Sequence, residues 1–159
     1  MHAKPTAAIR DFHGGVVHFA GGAVQADFGT VTDAVTCAAT IQQDLRPKDQ
    51  ELPDEQKVRF RIGVNLGEVI IDRDNIYGDG VNVAARLESL ANVGGICISE
   101  SVRTALGNKL SLDYEFMGEQ RVKNIAEMVK AYHVKQRSGS ELPPPPTRSA
   151  DRRIKGANG

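Results

Sequence analysis

Between Val58 and Leu66 apolar and polar residues alternate, with Val58, Phe60, Ile62, Val64 and Leu66 on one side and Arg59, Arg61, Gly63 and Asn65 on the other. A period of two points successive side chains to opposite faces, so this stretch predicts a strand with one buried face. More extended chain follows directly, from Glu68 to Asp72. Strands that adjoin in sequence without an intervening helix exclude a doubly wound sheet and predict an α+β domain with an antiparallel or mixed sheet. Gly63 and Gly67 sit in and beside the alternating run. Glycine weakens a strand and is kept where the chain bends, or where a backbone or ligand approaches closely.

The remaining segments fit that class. Val16 to Phe28 is apolar with Gly21-Gly22 near its middle, which predicts a hairpin of two short strands. Thr30 to Leu45 predicts a helix: Thr30 and Asp33 have capping-box spacing, and Val31, Val35, Ala38, Ile41 and Leu45 recur at steps of three and four. Pro47 is expected to stop it, with a polar loop to Gln56. The turn Tyr77-Gly78-Asp79-Gly80 leads into a helix from Val81 to about Ala91. Gly94 to Ser99 reads as a buried strand, and Ser101 to Leu106 as a short helix ended by Gly107. Tyr114 to Phe116 and Met128 to Val134 read as closing strands, which gives a domain over residues 1–136. Residues 137–159 carry four of the seven prolines, at Pro143 to Pro146, and are expected to form a disordered, proline-rich tail.

Composition excludes several functions. The 159 residues hold 20 basic and 20 acidic side chains, a balance that argues against a general nucleic-acid binder. No apolar run approaches the roughly 20 residues that span a bilayer, so no membrane segment is expected. Cys37 and Cys97 are too few for a disulfide framework and read as buried thiols of a cytoplasmic protein. His13, His18 and His133 lie in unrelated segments without ligand spacing.

The helix after Gly80 is the richest segment chemically. Asn82 and Arg86 are four apart and share a face, while Val83, Leu87 and Leu90 form the adjoining apolar stripe. A helix start after a glycine turn is expected to offer free backbone N–H groups to an anion. Guanidinium is the side chain that best matches phosphate oxygens. A phosphate-handling site and a plain solvated helix face both fit this pattern.

The run from Asn75 to Glu88, NIYGDGVNVAARLE, closely resembles the signature of class III adenylate/guanylate cyclase catalytic domains. The resemblance extends to Phe60–Val69 before it, to Gly94–Ser99 and Gly118–Ile125 after it, and to His13 through Val35. It implies a ferredoxin-like α+β nucleotide cyclase domain that works as a homodimer, or as a heterodimer with a complete cyclase domain. The implied reaction converts ATP to cyclic AMP, or GTP to cyclic GMP, with pyrophosphate leaving. By the same resemblance Asn82 positions the ribose and Arg86 stabilises charge at the α-phosphorus. Lys123 neutralises the terminal phosphates, Gly78 belongs to the substrate-binding turn, and Asn75 stands where a residue reads the base. An amide at Asn75 leaves ATP against GTP open. Glu68 reads as a sheet-surface charge and Asp79 as a turn residue.

The resemblance also implies Mg²⁺ or Mn²⁺, held by two aspartates of one subunit. The first belongs to an opening strand well upstream of His13-Gly14-Gly15. Only twelve residues precede His13, and they read like the end of a helix, so the domain is expected to be N-terminally truncated, with the edges of that strand's neighbours exposed. The second belongs at the hairpin tip, where this chain has Gly22, and no Asp or Glu lies between Phe12 and Ala26. A base-reading lysine found near that tip in many relatives corresponds to His18. The metal ligands are therefore expected to be missing, and the isolated chain inactive. Two readings follow: an Asn/Arg-donating half of a heterodimer, or a non-catalytic dimerisation or regulatory module, including a truncated remnant of a cyclase.

Overall fold

The computed structural model describes residues 3–20, 23–50, 53, 60–72, 75–136 and 142–144. Helix α1 (Ala3–Asp11) leads into the antiparallel hairpin of β1 (Gly15–Ala20) and β2 (Ala23–Asp27), registered from Gly15 opposite Asp27 to Ala20 opposite Ala23. Gly21 and Gly22 lie outside the described residues. Helix α2 (Val31–Gln50) is capped as its sequence predicts: the Thr30 hydroxyl accepts the Asp33 N–H at 3.1 Å. The expected stop before Pro47 is overturned, because α2 continues to Gln50. Proline deletes one N–H and crowds the carbonyl four residues back, a local defect that a helix can carry through.

Strand β3 is Ile62–Val64, all three half-buried; Phe60, Arg61, Asn65 and Leu66 flank it outside the strand, and Val58 and Arg59 of the predicted strand lie outside the described residues. Strands β4 (Ile70–Asp72) and β5 (Asn75–Tyr77) pair antiparallel. Helix α3 (Asp79–Leu90) begins two residues before the predicted start, so Asp79 is its first residue rather than part of a turn. Strand β6 (Ile96–Ser99) and helix α4 (Glu100–Leu106) follow, and Gly107 at φ 52° ends α4. The closing strands β7 (Leu112–Gln120) and β8 (Val129–Gln136) are longer than predicted. Their register shifts between Phe116 and Gly118, and such a bulge breaks the alternation that reveals a strand in sequence.

Strands β3, β6, β8 and β7 form one mixed sheet in that order, with β3 parallel to β6 and the other pairs antiparallel. Strand β6 is buried on both faces. Its Ile96 and Ile98 pack with Val35, Ala38 and Ala39 of α2 and Val102 and Leu106 of α4. Its Cys97 faces the opposite way and packs with Val83 and Leu87 of α3 and with Ala91, which caps that helix. Helices thus cover both faces of the sheet, and the α+β class with a mixed sheet is the one the sequence predicts. Leu142, in the segment read as a tail, also rests on the α2–α4 cluster. Ile9, Phe12, Cys37 and Ile41 form a third cluster, against which Val16 and Ala26 of the hairpin and Ile62 of β3 pack. Buried Gln42 ties these parts together, since its amide donates to the carbonyls of Phe60 at 2.9 Å and Gly95 at 3.0 Å. Among the described residues no helix is long and apolar enough to cross a membrane.

Candidate functional site

The site is built on the first turns of α3. Gly78 precedes the helix at φ 116°, a conformation that disfavours side chains, and a β-carbon there would meet the Glu68 carbonyl oxygen at 3.1 Å. Gly80 is buried and closer still: a β-carbon would lie 2.8 Å from that oxygen, to which the Gly80 N–H donates at 3.2 Å. The Gly80 carbonyl accepts from the Asn65 amide, also at 3.2 Å. The N–H groups of Val81 and Asn82 turn back to the Gly78 carbonyl at 3.1 and 3.3 Å. This corrects the expectation of a helix start rich in free donors. The N–H groups of Gly80, Val81 and Asn82 are already bonded and are not free donors.

Asn82 and Arg86 are exposed, while Val83 and Leu87 between and beside them are buried. Neither exposed side chain makes a hydrogen bond or ion pair among the described residues, so the backbone of α3 alone sets their place. Lys123, also exposed, sits in a turn closed by the Ile125 N–H to the Val122 carbonyl at 3.1 Å, with Asn124 at φ 67°. Val122 belongs to the same buried cluster as Val83 and Leu87, which holds that turn against α3. Asn75 opens β5, the strand that runs directly into Gly78; its side chain lies outside those described. The structure therefore gathers Asn82, Arg86, Lys123 and Gly78 around α3.

The metal side differs. Gly22 and the side chain of His18 lie outside the described residues. Asp27, the nearest following carboxylate, pairs with Gly15 at the base of the hairpin, and a β-carbon on Gly15 would lie 2.8 Å from its Oδ1. Among the described residues no group of three or more His, Cys, Asp or Glu could hold a metal. Glycines at positions 21 and 22 offer no side-chain oxygen, so the residues present do not fit a divalent cation that wants several carboxylate ligands.

Two features escaped the sequence reading. Asn65 bridges to α3, and its only signal was a polar residue on the open side of an alternating strand between two glycines. Leu66, Val69, Ile70 and Tyr77 are exposed hydrophobics on the segment that frames α3, with Ile70 at 64% and directly opposite Tyr77 across β4 and β5. A separate cavity of about 350 Å³ lies between α4 and β7, where the Arg103 guanidinium stacks 4.3 Å over the Tyr114 ring.

The family model for the adenylate and guanylate cyclase catalytic domain matches residues 15–136. The putative adenylate cyclase 3 of Rhizobium meliloti (strain 1021) is 36% identical over 124 residues, covering 78% of this chain and 21% of that protein. The pH-sensitive adenylate cyclase of Mycobacterium tuberculosis (strain CDC 1551 / Oshkosh) is 32% identical over 93 residues, 55% of this chain and 23% of that protein. The chain thus spans about a fifth of the length of these relatives. The crystal structure of an adenylate/guanylate cyclase/hydrolase from Silicibacter pomeroyi superposes with a TM-score of 0.81 at 31% identity, covering 86% of this chain and 81% of the other. The adenylyl cyclase CyaB from P. aeruginosa shares the fold, with a TM-score of 0.69 at 20% identity over 88% of this chain and 81% of the other. On this evidence the chain belongs to the adenylate and guanylate cyclase catalytic domain family.

Proposed function

We propose that this chain is the Asn/Arg-donating half of a heterodimeric nucleotide cyclase, inactive alone, that forms cyclic AMP from ATP with a complete cyclase subunit. The observation that carries the reading is the grouping on α3: exposed Asn82 and Arg86, without a side-chain partner among the described residues, beside the turn that holds Lys123. In the reaction the ribose 3′-hydroxyl gives its proton to water and its oxygen bonds to the α-phosphorus, while the bond from that phosphorus to the bridging oxygen breaks and pyrophosphate leaves. The Asn82 amide hydrogen-bonds the ribose and fixes the angle of attack. Arg86 presents a planar fork to the phosphate oxygens that gain charge. Lys123 acts as a point charge on the departing phosphates. Because the residues present do not fit a divalent cation, the proposal assigns the metal carboxylates to the partner.

The exposed apolar group of Leu66, Val69, Ile70 and Tyr77 supports a partner across the site, since soluble monomers seldom leave such a cluster open to water. A cytoplasmic location, a domain over residues 1–136 and a tail beyond it belong to the same reading.

The test mixes the purified chain with a complete cyclase subunit whose own Asn and Arg have been replaced, and assays cyclic nucleotide with Mn²⁺. Activity in the mixture, and none from either chain alone, is the expected outcome. A silent mixture removes the heterodimer reading and leaves a non-catalytic module. Metal-dependent turnover by the isolated chain contradicts both.

A further inference from the structure

We propose that Asn65 is a positioning residue for the reaction: its amide fixes the first turn of α3 and thereby sets where Asn82 and Arg86 stand. The proposal rests on the reading above that those two side chains act on a nucleotide.

The first turn of α3 is held through Gly80. The N–H of that residue donates to the Glu68 carbonyl, and its carbonyl accepts from Asn65 Nδ2, each at 3.2 Å. Both bonds come from the short segment between β3 and β4. Room for the amide is made by Gly67, where a β-carbon would lie 3.0 Å from Asn65 Nδ2 and 3.3 Å from the Gly80 α-carbon. Farther along, α3 is fixed differently, by backbone packing of Ala84 and Glu88 on Gly63. The hydrogen bond from the Asn65 amide is therefore a side-chain hold on the turn that carries Asn82.

Asn65 is itself braced. The Ser101 hydroxyl lies 2.9 Å from the Leu66 carbonyl and 3.5 Å from Asn65 Oδ1. A hydroxyl has one proton, and the shorter contact takes it. The Ser99 hydroxyl, 2.9 Å from that of Ser101, then donates to it. Ser99 is 2% exposed, so the chain of bonds starts in the core at the end of β6. It runs through Ser101 to the backbone beside Asn65 and on to α3. Since Asn82 and Arg86 have no side-chain restraint among the described residues, any drift of the first turn passes directly to them. A displacement of about 1 Å in such groups lowers turnover far more than binding.

The experiment uses Asn65→Asp, which keeps the size of the side chain but removes the donor to Gly80, with Asn65→Ala as a second variant in the full chain. Two readouts are taken: amide hydrogen exchange along α3, and kcat with KM in the mixture described above. Amides of Asp79 to Asn82 are expected to exchange about tenfold faster in both variants, with the global unfolding equilibrium shifted by no more than the same tenfold factor. In the mixture kcat is expected to fall about tenfold while KM stays within about twofold. Exchange at Asp79 to Asn82 that matches wild type overturns the proposal. So does a kcat loss accompanied by a shift of the global unfolding equilibrium well beyond tenfold. A mixture silent even with the wild-type chain defeats the heterodimer reading instead, and the exchange measurement then decides alone whether Asn65 fixes the helix start.

Discussion

Gly63 of β3 lies directly against Glu88 of α3: a β-carbon on Gly63 would sit 2.4 Å from the Glu88 backbone nitrogen and 2.4 Å from the Ala84 carbonyl oxygen. Backbone cannot move aside as a side-chain tip can. Gly63→Ala must therefore lift α3 from the sheet or break the parallel pairing of β3 with β6. The expected cost is about 3 kcal/mol, at the upper end of overpacking effects. Urea unfolding checks it, as a lowered midpoint with little change in slope. An unaltered midpoint would mean that helix and strand stand farther apart.

A smaller effect is expected at Thr30. Its hydroxyl accepts the Asp33 N–H at 3.1 Å, and the residue is exposed, so the cap is its main contribution. Thr30→Ala should cost about 1 kcal/mol, and Thr30→Ser much less. Equal losses in the two variants would show that the threonine methyl, not the oxygen, matters.

Local patterns made much of this fold legible, and contacts distant in sequence account for what they missed. The stripe of Val83 and Leu87 placed α3 and its polar face, because 3.6-residue periodicity is written within one segment. Thr30 and Asp33 announced a cap for the same reason. Gly63 signalled a close approach, but not that α3 makes it. Gln42 gave no signal, since its carbonyl partners lie 18 and 53 residues away. At the site, Asn82 and Arg86 could be read as neighbours from their spacing. That the helix-start N–H groups are occupied could not, because one of the acceptors, the Glu68 carbonyl, belongs to another segment.

The two thiols should limit alkaline stability. Burial pushes Cys37 up from 9.0 to about 12, with Asp11 and Asp33 adding to the rise. Burial likewise raises Cys97 to about 11, against a lowering backbone hydrogen bond from Tyr132. Folded values above the unfolded one mean that the unfolded chain releases these protons first. The stabilisation is therefore complete below about pH 9 and is lost as pH rises through the folded values. Each thiol should contribute a decline of up to about 1.4 kcal/mol per pH unit in that window. Replacing both with alanine should flatten this limb in denaturant titrations from pH 8 to 11, whatever it does to stability at pH 7. A limb that persists would assign the loss to other groups.

The exposed apolar group offers a separate test of association. Ile70 is 64% exposed, so Ile70→Glu should leave the fold intact. If the partner covers this patch, a buried carboxylate there should weaken association by tenfold or more. Analytical ultracentrifugation of the mixed chains measures this, with circular dichroism as the check on folding. Unchanged association would move the interface elsewhere.

Arg86 separates a catalytic role from a structural one most cleanly. Its side chain is exposed and has no partner among the described residues, so Arg86→Ala should shift stability by no more than about 0.5 kcal/mol. A guanidinium that stabilises charge developing on phosphorus contributes mainly to turnover, and its removal should lower kcat in the mixture by roughly 100-fold or more. Arg86→Lys keeps the charge but loses the planar fork, so it should recover only part of that loss. If lysine restored activity fully, the group would be a general attractor for anions. If alanine raised KM and left kcat alone, Arg86 would bind substrate and transition state equally, and its placement at the reacting phosphorus would be wrong.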